Sequence, residues 1–215
     1  MEKRRARFLL IAFIALSAAG VSPVWAGGAK EKIAMPSQKA FQLQLSFRDL
    51  WISRLVWIRS AVQQERDADI AAARVSESRV IQNARDLSDA FAPWYGPDMA
   101  DRLFGLLAGH GAALRDYGEA TFRRDADGQR AAAGLLSANA RDIATLLHSA
   151  NPGWRTDVWQ KLLADQATQL QKQITDIFSA DFETEADGWT AVKADAYYLA
   201  DTLALGIVTQ FPGKF

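Results

Sequence analysis

The chain has 215 residues, 25 basic and 25 acidic side chains, and no cysteine. Without cysteine it can hold no disulfide, so whatever fold it reaches rests on packing. Beyond the first 26 residues the two charge signs are interleaved, which disfavours nucleic acid or an anionic lipid surface as a partner, since either would require clustered Lys and Arg.

Lys3, Arg4, Arg5 and Arg7 precede an apolar run from Phe8 to Ala19, and Val24-Trp25-Ala26 then places a small residue before Gly27. This is the pattern of a secretory signal peptide over residues 1–26. The run is shorter than the roughly 18 residues that a membrane-spanning helix needs. Export to the periplasm or the extracellular space is expected, with no stable membrane insertion after cleavage. Cleavage would remove those four basic residues and Glu2, leaving a mature formal charge of −3. Residues 27–40 are polar and without period, and read as a flexible leader.

Residues 41–215 are expected to form one bundle domain. A first helix over about 41–65 puts Phe47, Leu50, Trp51, Leu55, Ile58 and Val62 on one face. A second, about 70–91, turns Val80, Ala84, Leu87 and Phe91 inward and stops before Pro93. Pro93-Trp94-Tyr95-Gly96-Pro97 is a compact turn, after which Asp98 is expected to cap a third helix running to about 122. Asp125-Ala-Asp-Gly128 reads as a break. A fourth helix follows over about 129–150, and Thr156 or Asp157 caps a fifth. Residues 179–187, with Glu183, Glu185 and Asp187, read as a solvated connection before a last helix bearing Val192, Ala196, Leu199, Leu203 and Ile207.

With no alternating strand pattern, the fold class is all-α: an antiparallel helical bundle of about six helices. It also contains what looks like an internally duplicated helical hairpin. Asn83-Ala84-Arg85-Asp86 returns as Asn139-Ala140-Arg141-Asp142, and Leu106-Leu107-Ala108 returns as Leu162-Leu163-Ala164, both at an offset of 56 residues.

Projection of these helices places polar side chains inside or beside the apolar stripes: Arg54, His110, Gln166 and Asp195, with Asn83 and Asn139 flanking their own. Buried polar groups need partners, so these six are expected to form one layer across the core, with Arg54 and Asp195 as its charge pair. Such layers often do no more than fix register. His110 is the best single candidate for a ligand or proton carrier. A metal site needs three or four ligands, and the only other histidine, His148, falls on an outer face, so no cofactor is expected. The sequence has no His-Glu-x-x-His, no Gly-x-Ser-x-Gly elbow and no glycine-rich phosphate loop.

Several motifs carry a likeness: Leu50-Trp51 followed by Trp57-Ile58-Arg59, Asn83 with Asp86, Tyr95-Gly96, Leu106-Leu107 with His110, and Asn151-Pro152 with Trp154. The most specific is the ending, in which Ala200-Asp201-x-Leu203 leads to Gly206-Ile207-x-x-Gln210-Phe211-Pro212-x-Lys214-Phe215. Together they resemble an uncharacterised family of small, often exported bacterial α-helical bundle proteins. Members sometimes carry a glycosyltransferase label, which no nucleotide-sugar fold supports here. The resemblance implies histidines at the positions of Arg54 and Asp195 as well as at His110, and so a ligand layer exchanged here for a salt bridge.

The expected function is that of an exported, non-enzymatic binding or interaction protein whose protein or small-molecule partner the sequence does not name. The competing reading is a metal- or small-ligand-binding protein, or an enzyme, centred on His110. A third is a surface adaptor presenting Trp94, Tyr95 and Trp154 as a flat apolar patch.

Overall fold

A computed structural model describes residues 35–215. The segment expected to be a signal peptide, and most of the expected leader, lie outside the described residues. Six long helices carry the fold: α1 (Gln38–Arg66), α2 (Ile70–Asp89), α4 (Pro97–Phe122), α5 (Ala126–Ala150), α6 (Thr156–Phe178) and α7 (Phe182–Gln210). The one-turn helix α3 (Ala92–Tyr95) joins α2 to α4, and a short 3₁₀ turn, Pro212–Lys214, follows α7.

Local chemistry sets the ends of these helices. Ser37 caps α1 by accepting from the Ala40 amide at 3.1 Å, so the helix starts inside the segment expected to be a leader. At α4 the cap is Gly96, in the left-handed region at φ 84°, and Pro97 opens the helix where its missing N–H costs nothing. Asp98, expected as the cap, stands instead in the first turn, where the helix dipole favours it. No side-chain cap bond starts α6, whose N-cap position is Arg155.

Three of the connections are the same turn. Ala68, Arg124 and Ala180 all adopt positive φ, at 60°, 56° and 58°, and each is followed by an aspartate that caps the next helix: Asp69, Asp125 and Asp181. In each turn that aspartate's amide donates to the carbonyl five residues back, in Gln64, Ala120 and Asp176 respectively. The caps correct two expectations. Asp125-Ala-Asp-Gly128 starts α5 rather than breaking the chain. Residues 182–187 belong to α7, so Glu183, Glu185 and Asp187 are helical, and Glu185 is only 2% exposed.

Each long helix packs antiparallel on the next, and α7 returns to α1, closing a ring. Within it α1, α4 and α6, the first helices of three successive hairpins, also touch one another. A single apolar cluster fills the interior, with Phe47, Leu55, Leu87, Leu114, Trp159 and Leu203 among its most buried members.

One end is closed by aromatics. Trp154 is 2% exposed and meets Phe91, Tyr95 and Trp159, while Trp94 stacks on Phe215 with ring centroids 5.1 Å apart. These rings cap the core instead of presenting a flat patch. The chain ending joins them: Tyr95 donates to Gln210 at 2.7 Å, Gln210 donates to the Ala150 carbonyl at 3.1 Å, and Asn151 donates to the Gly206 carbonyl at 3.0 Å.

Candidate functional site

The six polar residues singled out from the sequence occupy two sets of equivalent positions. Arg54, His110 and Gln166 follow at 56-residue steps on α1, α4 and α6, and Asn83, Asn139 and Asp195 do so on α2, α5 and α7. Arg54, Asn83, His110 and Gln166 are buried, whereas Asn139 and Asp195 are half-buried.

The charge pair expected between Arg54 and Asp195 is not what holds either side chain. Arg54, 3% exposed, donates from Nη2 to the Leu107 carbonyl at 2.8 Å, and its Nη1 meets no acceptor among the described residues. Burial alone lowers its pKa, to about 10, so the guanidinium stays cationic at neutral pH with no carboxylate against it among the described residues. Asp195 faces α6 and accepts from Gln169. The bidentate pairs between α1 and α7 lie to either side of that level: Arg48 with Asp201, both bonds 2.6 Å, and Arg59 with Glu185, both 2.7 Å. Both carboxylates are buried and both arginines partly exposed. Sequence reasoning missed these pairs, although Arg48 and Arg59, three turns apart, share a face of α1.

His110 is bound to its own hairpin. Asn139 donates from Nδ2 to the Leu106 carbonyl at 2.8 Å, which turns its Oδ1 toward His110 Nδ1 at 3.3 Å. An amide oxygen only accepts, so the imidazole proton sits on Nδ1 and Nε2 keeps its lone pair. Burial pushes the His110 pKa down to about 3, the Arg54 charge adds to that, and the Asn139 bond opposes it. The ring is therefore neutral across the physiological range. Its Nε2 is the acceptor nitrogen of a buried layer. Gln166 accepts from Trp51 Nε1 at 3.3 Å, and its own Nε2 has no partner among the described residues. Asn83 donates to the Leu50 carbonyl at 2.9 Å, leaving its Oδ1 unmatched.

Next to this layer a cleft of about 370 Å³ opens between α1, α2 and α4. Ile58, Val62, Val80, Ile81 and Leu114 give it apolar walls, and Glu65, Glu77 and Arg115 also line it. Gly111 separates it from the layer: a Cβ there would stand 3.0 Å from Val80 Cγ1 and 3.6 Å from Arg54 Nη2. Glu65 is half-buried, and its pKa is raised by desolvation first and then by Glu77 and Glu119, with Arg115 opposing. Nothing in the hydrophobic stripes signalled this cleft, because it depends on which helices the ring makes neighbours.

Among the described residues, no group of three or more His, Cys, Asp or Glu side chains is placed to hold a metal ion, and no helix is long and apolar enough to cross a membrane. The second histidine, His148, bonds through Nδ1 to the Trp154 carbonyl at 3.0 Å. No protein-family model, no curated protein and no solved structure matches this chain.

Proposed function

We propose that this is an exported, non-enzymatic binding protein, and that its ligand enters the cleft between α1, α2 and α4. The observation that carries this reading is the cleft itself, about 370 Å³ with apolar walls and carboxylates at its lining, in a bundle whose interior is otherwise close-packed. The polar layer beneath it supports binding over catalysis, since Arg54 and His110 are buried and bonded within the bundle, to the Leu107 carbonyl and to Asn139. The thrice-built turn, together with the sequence identities at the same offset, favours descent from one copied hairpin. Membership of the exported helical family rests on the motifs of the sequence alone.

An uncharged apolar fluorescent dye such as N-phenyl-1-naphthylamine tests the cleft. Ala112 lines it and is exposed, so Ala112→Phe should fill the space without disturbing the core. Saturable dye binding that Ala112→Phe abolishes is the expected result; equal binding by both proteins defeats the proposal. Export is tested by intact mass, which should show a mature chain starting at Gly27 when the protein is made with its first 26 residues.

The alternative, a metal or small ligand centred on His110, draws on Nε2, which the Nδ1 bond to Asn139 leaves as the acceptor nitrogen. Stoichiometric metal in protein purified without a histidine tag, lost in His110→Ala, would favour it over the cleft.

A further inference from the structure

The molecule contains an internal control for this cleft, because the equivalent seam recurs where α6 and α7 meet α1. There Leu170, Ile174 and Ile177 stand where the cleft has Ile58, Val62 and Glu65. Trp189 replaces Glu77, and Leu55 replaces Gly111. That seam is nearly solid, with a void of about 10 Å³. The contrast is therefore local: a tryptophan and a leucine fill one seam, and a glutamate and a glycine hollow out the other while giving it negative charge.

The charge is only partly offset from within, since Arg115 acts on Glu65 and Glu77 at longer range without a direct ion pair to either. Arg115, the cation of the lining, donates from Nη2 to Asp116 at 2.9 Å, and Glu119 is paired with Arg123. Glu65 and Glu77 make no ion pair with a described residue, and each is half-buried. The Glu65 carboxylate lies against α4 beside Gly118, where an added Cβ would stand 3.7 Å from Oε2. Two carboxylates in partly desolvated surroundings repel one another, and a cation between them relieves both the repulsion and the desolvation. The walls beyond them are hydrocarbon, and Ile81 at their edge is 54% exposed, an apolar side chain left without cover.

We infer that the cleft takes a linear apolar molecule with a single cationic end, of the alkylammonium class, its cation beside Glu65 and Glu77 and its chain along Ile58, Val62 and Val80. This rests on the binding reading above and adds the chemistry of the ligand. The chain supplies burial of apolar surface, and the carboxylates supply orientation and selectivity against anions.

The test compares decylammonium, decanol and decanoate by calorimetry below their aggregation limits. Wild-type protein should bind decylammonium about tenfold more tightly than decanol, with decanoate weakest. The double variant Glu65→Gln/Glu77→Gln should lose the preference for the ammonium while binding decanol as before, and Ala112→Phe should bind none of the three. Thermal melting confirms that each variant is folded. Equal affinities, or tightest binding of decanoate, overturn the cationic assignment while leaving the cleft a binding site. No binding of any probe, or binding untouched by Ala112→Phe, overturns the cleft reading along with it.

Discussion

Asn139 makes on the second hairpin the bond that Asn83 makes on the first: each donates its amide nitrogen to the carbonyl of a leucine 33 residues earlier, Leu106 at 2.8 Å and Leu50 at 2.9 Å. That carbonyl belongs to the preceding antiparallel helix, so the amide ties the two arms of a hairpin together at mid-height. At the third equivalent position Asp195 is a carboxylate, which cannot donate such a bond, and it turns to Gln169 instead.

Replacing either asparagine by alanine should therefore cost about 1–3 kcal/mol, the penalty of leaving a buried or half-buried carbonyl with one partner fewer. The bonds lie on separate hairpins, so the double variant should lose the sum of the two. Urea denaturation would show this as a lowered midpoint at unchanged slope. A coupling of more than about 0.5 kcal/mol would mean that the hairpins are not independent at this level.

The α1–α7 pairs should respond asymmetrically. Arg59→Ala leaves Glu185 buried and charged without its partner, at a cost of about 3–5 kcal/mol, whereas Arg59→Met with Glu185→Gln removes the charge as well and should recover part of that loss. Arg48 and Asp201 should show the same ordering, since Asp201 is also the buried partner. A double-mutant cycle giving no coupling at either pair would show that the ring closes without them.

The apolar stripes, and hence six helices and their order, were readable because period and length agree over each segment. Boundaries set by a single side chain were less so. Asp181 caps α7 and carries the helix back through residues whose acidity resembles a loop, so Glu185 was read as solvated when it is buried. Projection correctly put Arg54 and His110 inside, but it gives an angle about one axis and not the neighbour that the side chain meets. Pairing Arg54 with Asp195 needed the ring order, in which Asp195 faces α6. The cleft was hidden for the same reason: Gly111 and Glu77 become one wall system only when α2 lies against α4.

Gly206 is a second place where a missing side chain matters. A Cβ there would fall 1.9 Å from Trp154 Nε1, so the indole lies directly on the backbone of α7. Gly206→Ala must displace the ring that joins Phe91, Tyr95 and Trp159. The expected loss is about 3 kcal/mol or more, with a red-shifted tryptophan emission as the ring meets water. Near-wild-type stability and emission would contradict this packing.

Arg54 should behave in the opposite sense, because its charge is buried against a carbonyl alone. Arg54→Met keeps most of the volume and removes the desolvation cost, so stability should rise by about 1–3 kcal/mol. A loss of that size would instead show that the guanidinium has a partner in solution, such as an ordered anion.

The same layer sets a pH dependence. His110 has a folded-state pKa near 3 against an ordinary value of 6.5, so the unfolded chain binds its proton first as pH falls. Stability from this residue is complete above pH 6.5 and declines steadily down to about pH 3, with a ceiling of about 5 kcal/mol from the size of the shift. Carboxylates titrate in the lower part of that window, so the contribution is read as a difference: wild-type minus His110→Gln stability, followed by urea denaturation from pH 7.5 to pH 4.5. That difference should shrink as the solution is acidified, since glutamine has no proton to gain. Arg54→Met removes the nearby positive charge, the lesser of the two causes that hold the pKa down, so it should raise the folded pKa of His110, end the decline at a higher pH and lower the ceiling. A difference that stays constant with pH would mean that His110 is solvated and free to titrate normally.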